Sequence, residues 1–151
     1  MVQLMIMYFV VFSSSRHEVA VATLAFGINS GAYVAEIVRG GIMSVDAGQM
    51  EAGRSLGMNY TQTMRHIIIP QAIKNILPAL GNEMITLLKD TSLMTVIGAK
   101  DLTKAAQTVQ AVTYQAFMPY ISIAVVYLVC VIALSKLLAL IERRMRNSDR
   151  R

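Results

Sequence analysis

The stretch Asn82–Ser92, NEMITLLKDTS, holds side chains whose types and spacing could bind a small cation. Glu83, Thr86 and Asp90 stand at i, i+3 and i+7, which places them on one face of a helix. Asn82 and Ser92 lie near the edges of that face. Two carboxylates with neighbouring hydroxyl and amide groups suit the ammonium group of an amino acid, and could also meet a cationic side chain. The competing reading is structural. Lys89 with Asp90, or Glu83 with a basic residue elsewhere, would form an ion pair that only holds helices together.

A second constellation is Glu51–Pro70, EAGRSLGMNYTQTMRHIIIP. It is charged, broken by Gly57 and closed by Pro70, yet it lies between apolar regions. Neither stretch supplies bond-making chemistry. His17 and His66 have no carboxylate, Ser or Cys at a catalytic spacing, and both read as solvated. Cys130, the one cysteine, sits in an apolar run and is expected to be a buried, inert thiol. No metal or cofactor motif is present. None of the five lysines, at 74, 89, 100, 104 and 136, follows a glycine-rich loop with Ser or Thr next, so there is no P-loop. An intramembrane enzyme built on Glu83 and Asp90 is therefore disfavoured, and any energy must come from a partner.

The elements that position these groups belong in a membrane. The chain has 151 residues, is 55% hydrophobic and only 15% charged. Soluble domains carry about 25% charged residues. Ala116–Ser135, AFMPYISIAVVYLVCVIALS, has no charge at all, and the predicted span runs over 116–141. Pro119 suits its first turn. An earlier span is predicted over 18–39, where Gly27 and Gly31 form a G-x-x-x-G pair expected to pack against another helix. Asn29 and Ser30 need partners within it. A third span is predicted over 72–97. Its charges, each worth on the order of 3 kcal/mol at the bilayer centre, must face helices or water. Residues 1–12 are too short to span and read as the end of one. After Gly98, a stop signal, Leu102, Ala105, Val109 and Val112 recur at helical spacing in a short amphipathic helix at the surface or against other spans.

Basic residues orient the chain. Arg39, Arg54, Arg65 and Lys74 flank the quoted corner, and Arg143, Arg144, Arg146, Arg150 and Arg151 close the chain. The opposite side holds only Arg16, Lys100 and Lys104. The positive-inside rule puts residues 40–70 and the C-terminus in the cytoplasm. The formal charge of +5 does not point to nucleic acid, because the arginines form no stripe with interleaved aromatics. Within 40–70, residues 49–56 read as a helix, Gly57 as its left-handed stop and Asn59 as a new cap. Pro70 is expected to end the second helix before Ile69, giving two short helices with a corner at Gly57.

This corner carries a resemblance. E-A-A, three residues, G, nine residues, I-x-L-P is the signature of the membrane subunits of bacterial ABC importers. Glu51, Ala52, Gly57, Ile67 and Pro70 stand at those spacings. Gly53 replaces the usual Ala, which should loosen the helix by up to about 1 kcal/mol. Ile69 replaces the usual Leu, a conservative change. NSGAYVAEIVRGGIMSV, GQMEAGRSLG, IPQA and LLKDTSL further resemble the polar amino acid permeases of the histidine, glutamine and arginine type, over nearly the whole chain.

The resemblance implies an all-α polytopic membrane bundle of the ABC type I importer permease kind, in the bacterial cell membrane. It implies a second permease subunit in a homo- or heterodimer, a separate ATPase dimer inside and an extracytoplasmic binding protein, with an amino acid as substrate. Residues Glu51 to Met58 would form the helix that enters the ATPase. Relative to the pattern, the first span and the start of the second are missing, so a truncated gene product or a late start codon is expected. The alternative to a working permease is a transport-incompetent remnant that only binds its partners.

Overall fold

Long apolar runs give long helices here, and α-helical winding continues through Pro78 and several glycines. The computed structural model describes residues 1–15 and 17–147. Arg16, Arg150 and Arg151, and the side chains of Arg144 and Arg146, fall outside that description. Every regular element among the described residues is helical. Helix α1, Val2–Ile6, runs into a π turn at Met7–Val11. Helix α2 covers Glu18–Met43, and α3 covers Ala47–Ser55. Helix α4, Tyr60–Thr63, continues through a π turn at Met64–Ile68 into α5, Ile69–Asp90, and a 3-10 turn at Thr91–Ile97. Helices α6, Leu102–Thr113, and α7, Phe117–Asn147, complete the chain.

Among the described residues, two helices are long and apolar enough to cross a bilayer: α2, and residues Phe117–Arg143 of α7. Their 26 and 27 residues correspond to about 40 Å at about 1.5 Å per residue, more than a hydrocarbon core of about 30 Å. The apolar window of α7 has mean hydropathy 2.6 and no residue buried within the chain. Cys130 is accordingly exposed, not buried as expected from its apolar neighbours. An apolar run is no evidence of burial in protein when the solvent is lipid. Helix α5 carries four charges, Lys74, Glu83, Lys89 and Asp90.

The contacts form two units. The first comprises Met1–Gly31 and Met84–Ser135. Its core is small-sided: Leu4, Ala22, Ala25, Ile97 and Ala99 are buried together, with Tyr8 and Phe26 against them. Alanines let helices come close where no hydrophobic force drives them together in lipid. Gly98, at φ +83°, stops the 3-10 turn as its type predicts. Asp101 then caps α6, accepting from the Lys104 backbone N–H at 2.7 Å. Among the described residues of this chain, nothing packs on Gly27 or Gly31. A Cβ on either would meet no described atom within 4 Å. Ser30 is buried, whereas Asn29 is exposed.

The second unit comprises Ala32–Glu83 and Lys136–Arg151. Its close approach falls at Gly41, where a Cβ would collide with Ile76. Gly81 meets Leu138 in the same way, at 2.9 Å. Asn75 donates to the Ser44 hydroxyl at 2.8 Å. The buried residues Thr63, Ile68, Ala72 and Ile76 recur five, four and four apart. Five is the π spacing, so one inward stripe runs unbroken through the π turn.

That turn overturns the expectation that the second helix of the corner is short. The chain stays helical past Ile69 and Pro70 into α5. A proline clashes with the carbonyl four residues earlier and donates nothing to it. A π turn just before it bonds five back, as the Ile69 N–H does to Met64 O, and so makes room for the ring.

Candidate functional site

The corner between α3 and α4 is held at both helix ends by its own short-range chemistry. Asp46 opens α3 by accepting from the Gly48 backbone N–H at 2.7 Å. The other end closes with two crossed backbone bonds. Gly57 N–H donates to Arg54 O at 2.9 Å, and Met58 N–H donates to Gly53 O at 3.1 Å. This pairing requires a left-handed residue, and Gly57 supplies it at φ +78°. Asn59 and Gln62 then cap α4 reciprocally. Gln62 N–H donates to Asn59 Oδ1, and Asn59 N–H donates to Gln62 Oε1, both at 2.9 Å.

Gly53 is the joint between the two helices. A Cβ there would lie 2.5 Å from Thr63 Cγ2 and 2.7 Å from Thr63 Oγ1. Thr63 is fully buried, and its hydroxyl donates to Asn59 O at 3.0 Å, which fixes its rotamer. Gly53 is therefore not a loosened position. It is the socket for Thr63, and the departure from Ala is matched by its neighbour. Sequence reading also missed Asp46, although Asp followed two residues later by Gly at the start of a helix former run is a cap signal.

The outer side of the corner is free of the chain. Glu51, Ala52, Arg54 and Ser55 are exposed, and Leu56 is 79% exposed. Ile67 is half-buried, and Pro70 is exposed. Leu56 is a large apolar side chain presented at the tip of a rigid turn, and sequence reading did not single it out. Its signal was an unpaired Leu directly before the helix stop.

Asn82, Glu83, Thr86 and Asp90 all lie on the continuous α5, with Asp90 its last residue. Glu83 and Asp90 are half-buried, and Asn82 and Thr86 are exposed. Ser92 falls in the 3-10 turn, where its hydroxyl donates to Lys89 O at 2.7 Å. Thr91 does the same to Leu88 O at 2.7 Å. The change from α to 3-10 winding at Thr91 thus has two side-chain clamps beside Asp90. Among the described residues, no group of three or more His, Cys, Asp or Glu side chains is placed to hold a metal ion.

Apolar helices of membrane length, the first followed by an ordered and capped corner, define a helical membrane protein. Comparison with known proteins gives the family. The model of the binding-protein-dependent transport system inner membrane component matches residues 1–147. The glutamine transport system permease protein GlnP of Escherichia coli K12 is 41% identical over 149 residues, covering 96% of this chain and 68% of that protein. The arginine transport system permease protein ArtQ of Bacillus subtilis is 39% identical over 150 residues, covering 97% and 68%. A chain in the crystal structure of an amino acid ABC transporter with histidines matches with a TM-score of 0.88 and 53% identity, over 95% of this chain and 68% of that one.

The chain belongs to the family of binding-protein-dependent transport system inner membrane components. Its fold is the all-α membrane bundle of ABC type I importer permeases.

Proposed function

We propose that the chain is the permease subunit of an ABC importer for polar amino acids, and that the α3–α4 corner is its contact with a separate ATPase dimer. The carrying observation is the corner itself: capped at Asp46 and Asn59, turned at Gly57 and locked by Thr63 in Gly53. A loop that only linked two spans would need none of these devices. Rigid presentation of Glu51, Arg54 and Leu56 is what a partner that pushes and pulls requires. Leu56 is the apolar anchor of the contact, with Glu51 and Arg54 as its polar rim.

On this reading residues 40–70 and the C-terminus are cytoplasmic, in keeping with their basic residues. Spans fall near 18–39, 72–97 and 116–141, with part of another at 1–12. The polar stripe of Asn82, Glu83, Thr86 and Asp90, with Ser92 beyond it, lines the substrate path and meets the substrate ammonium group. The relatives named for glutamine and arginine transport support this substrate class. An extracytoplasmic binding protein delivers the substrate, and a second permease subunit completes the path. The lysines lack a P-loop context, so ATP is hydrolysed by the partner.

The test is reconstitution with the ATPase and binding protein in vesicles, with uptake of labelled glutamine, arginine and histidine. ATP-dependent uptake is expected for the native chain. Gly57→Val should insert normally, yet co-purify weakly with the ATPase or hydrolyse ATP without transport. Full assembly and substrate-stimulated hydrolysis in Gly57→Val would overturn the assignment of the corner.

A further inference from the structure

Helix α6 is inside out. An amphipathic helix on a soluble protein turns its apolar stripe inward. Here Leu102, Ala105, Val109 and Val112 are all exposed, Val109 to 49% and Val112 to 75%. The inward side is small and polar. Ala106 is buried, Gln107 accepts from the Thr95 hydroxyl at 3.2 Å, and Gln110 accepts from the Tyr120 hydroxyl at 2.9 Å. The remaining outward positions, Thr108, Ala111 and Thr113, carry no charge, and the two hydroxyls donate back to Lys104 O and Val109 O. The only charged residue on α6 is Lys104, in its first turn.

The end of α6 continues this surface. Tyr114 closes the helix in the left-handed conformation, at φ +58°, and is 92% exposed. Phe117 follows at 73%, and an open apolar groove runs along Ala116, Phe117, Tyr120, Ile121 and Ala124. That groove lies on the first turns of α7, whose apolar window is wholly unburied. The uncharged face of α6 is therefore continuous with a face that lies in lipid. Tyrosines at the junction are what a bilayer interface selects, because their rings take an apolar body and a wet tip.

We propose that α6 is an interfacial anchor: its Leu102–Val112 stripe lies against the acyl chains just below the headgroups, with Tyr114 and Phe117 marking the headgroup level. Lipid is the occupant, in preference to a second copy or another protein, because the outward face carries no charge and its hydroxyls are turned back onto their own helix, leaving nothing to fix a protein partner's register. The proposal rests on α7 spanning the bilayer.

The chain has no tryptophan, so single substitutions are clean probes. Val109→Trp, Val112→Trp and, on α7, Leu128→Trp would each be placed in the full chain. The variants would be reconstituted in phosphatidylcholine vesicles carrying bromine either near the headgroup or near the acyl methyl end. Both α6 variants should emit in the blue and lose more emission to shallow bromine than to deep bromine. Leu128→Trp should lose emission to bromolipid, more to the deep form. Red emission quenched by aqueous acrylamide, without loss to bromolipid, would overturn the anchor and place α6 in water. Blue emission untouched by bromolipid or acrylamide would also overturn it, in favour of a covering protein surface. Absence of bromolipid quenching at Leu128→Trp as well would overturn the spanning of α7 together with the anchor.

Discussion

Gly53→Ala is a change that helix propensity favours and the corner should reject. Removing a glycine from a helix interior gains roughly 0.5–1 kcal/mol. Against that stands the new methyl, 2.5 Å from Thr63 Cγ2 and 3.1 Å from Thr63 Cβ. Thr63 cannot swing away, because it is β-branched, fully buried and hydrogen-bonded to Asn59 O. Overpacking of this kind costs about 1–3 kcal/mol, and a mid-range cost set against that gain leaves a net loss of about 1 kcal/mol. The loss falls on the docking of α3 against α4, not on the spans. Hydrogen exchange of the α3 amides in the solubilised chain reads it directly. Exchange should rise about 5-fold in Gly53→Ala, while α7 amides stay unchanged.

Thr63→Ala removes the two nearest atoms that the methyl would strike and leaves Cβ at 3.1 Å. In the double variant most of the penalty should vanish, leaving a measurable coupling energy in the cycle. Unchanged or slower α3 exchange in Gly53→Ala alone would refute the socket, and with it the claim that the departure from Ala is compensated.

Asn59→Ala removes one half of the reciprocal cap and should cost about 1 kcal/mol, seen as faster exchange at Gln62 and Thr63; no change would show that the cap is idle. Asp90→Asn in the reconstituted importer should leave insertion intact and strongly reduce uptake, and undiminished uptake would count against its place in the substrate path. Thr103→Val should leave thermal stability level or raised, because Thr103 Oγ1 is buried without a hydrogen-bond partner among the described residues. A clear fall in melting temperature would show that the hydroxyl is used.

Local signals were the legible part of this chain. Gly57, Asn59 and Gly98 act where their types demand, because positive φ and capping are decided within a few residues. The misread residues depend on contacts that spacing does not contain. Gly53 looked like a weak helix residue because Thr63, ten positions on, is invisible to a local rule. Pro70 looked like a stop because the π turn that accommodates it leaves no composition signature. The close approach at Gly41 lies outside the G-x-x-x-G pair and meets Ile76, thirty-five positions on. The stripe on α6 had the right period, but period alone does not say which side is solvent, and in a membrane the solvent can be the apolar side.

The π turn at Met64–Ile68 has a consequence for register. It inserts one residue of phase between two contacts on the same inward stripe, Thr63 against Gly53 and Ile76 against Gly41. A plain α-helix over the same residues would rotate everything after it by about 100°. Thr63 would keep its socket while Ile76 left its own. The turn therefore works as a phase adjuster: it lets a corner and a helix crossing with incompatible periodicities sit on one unbroken rod. Deleting any single residue between 64 and 68 would restore an ideal helix and leave Ile76 against Gly41, because the remaining stripe is spaced by four throughout.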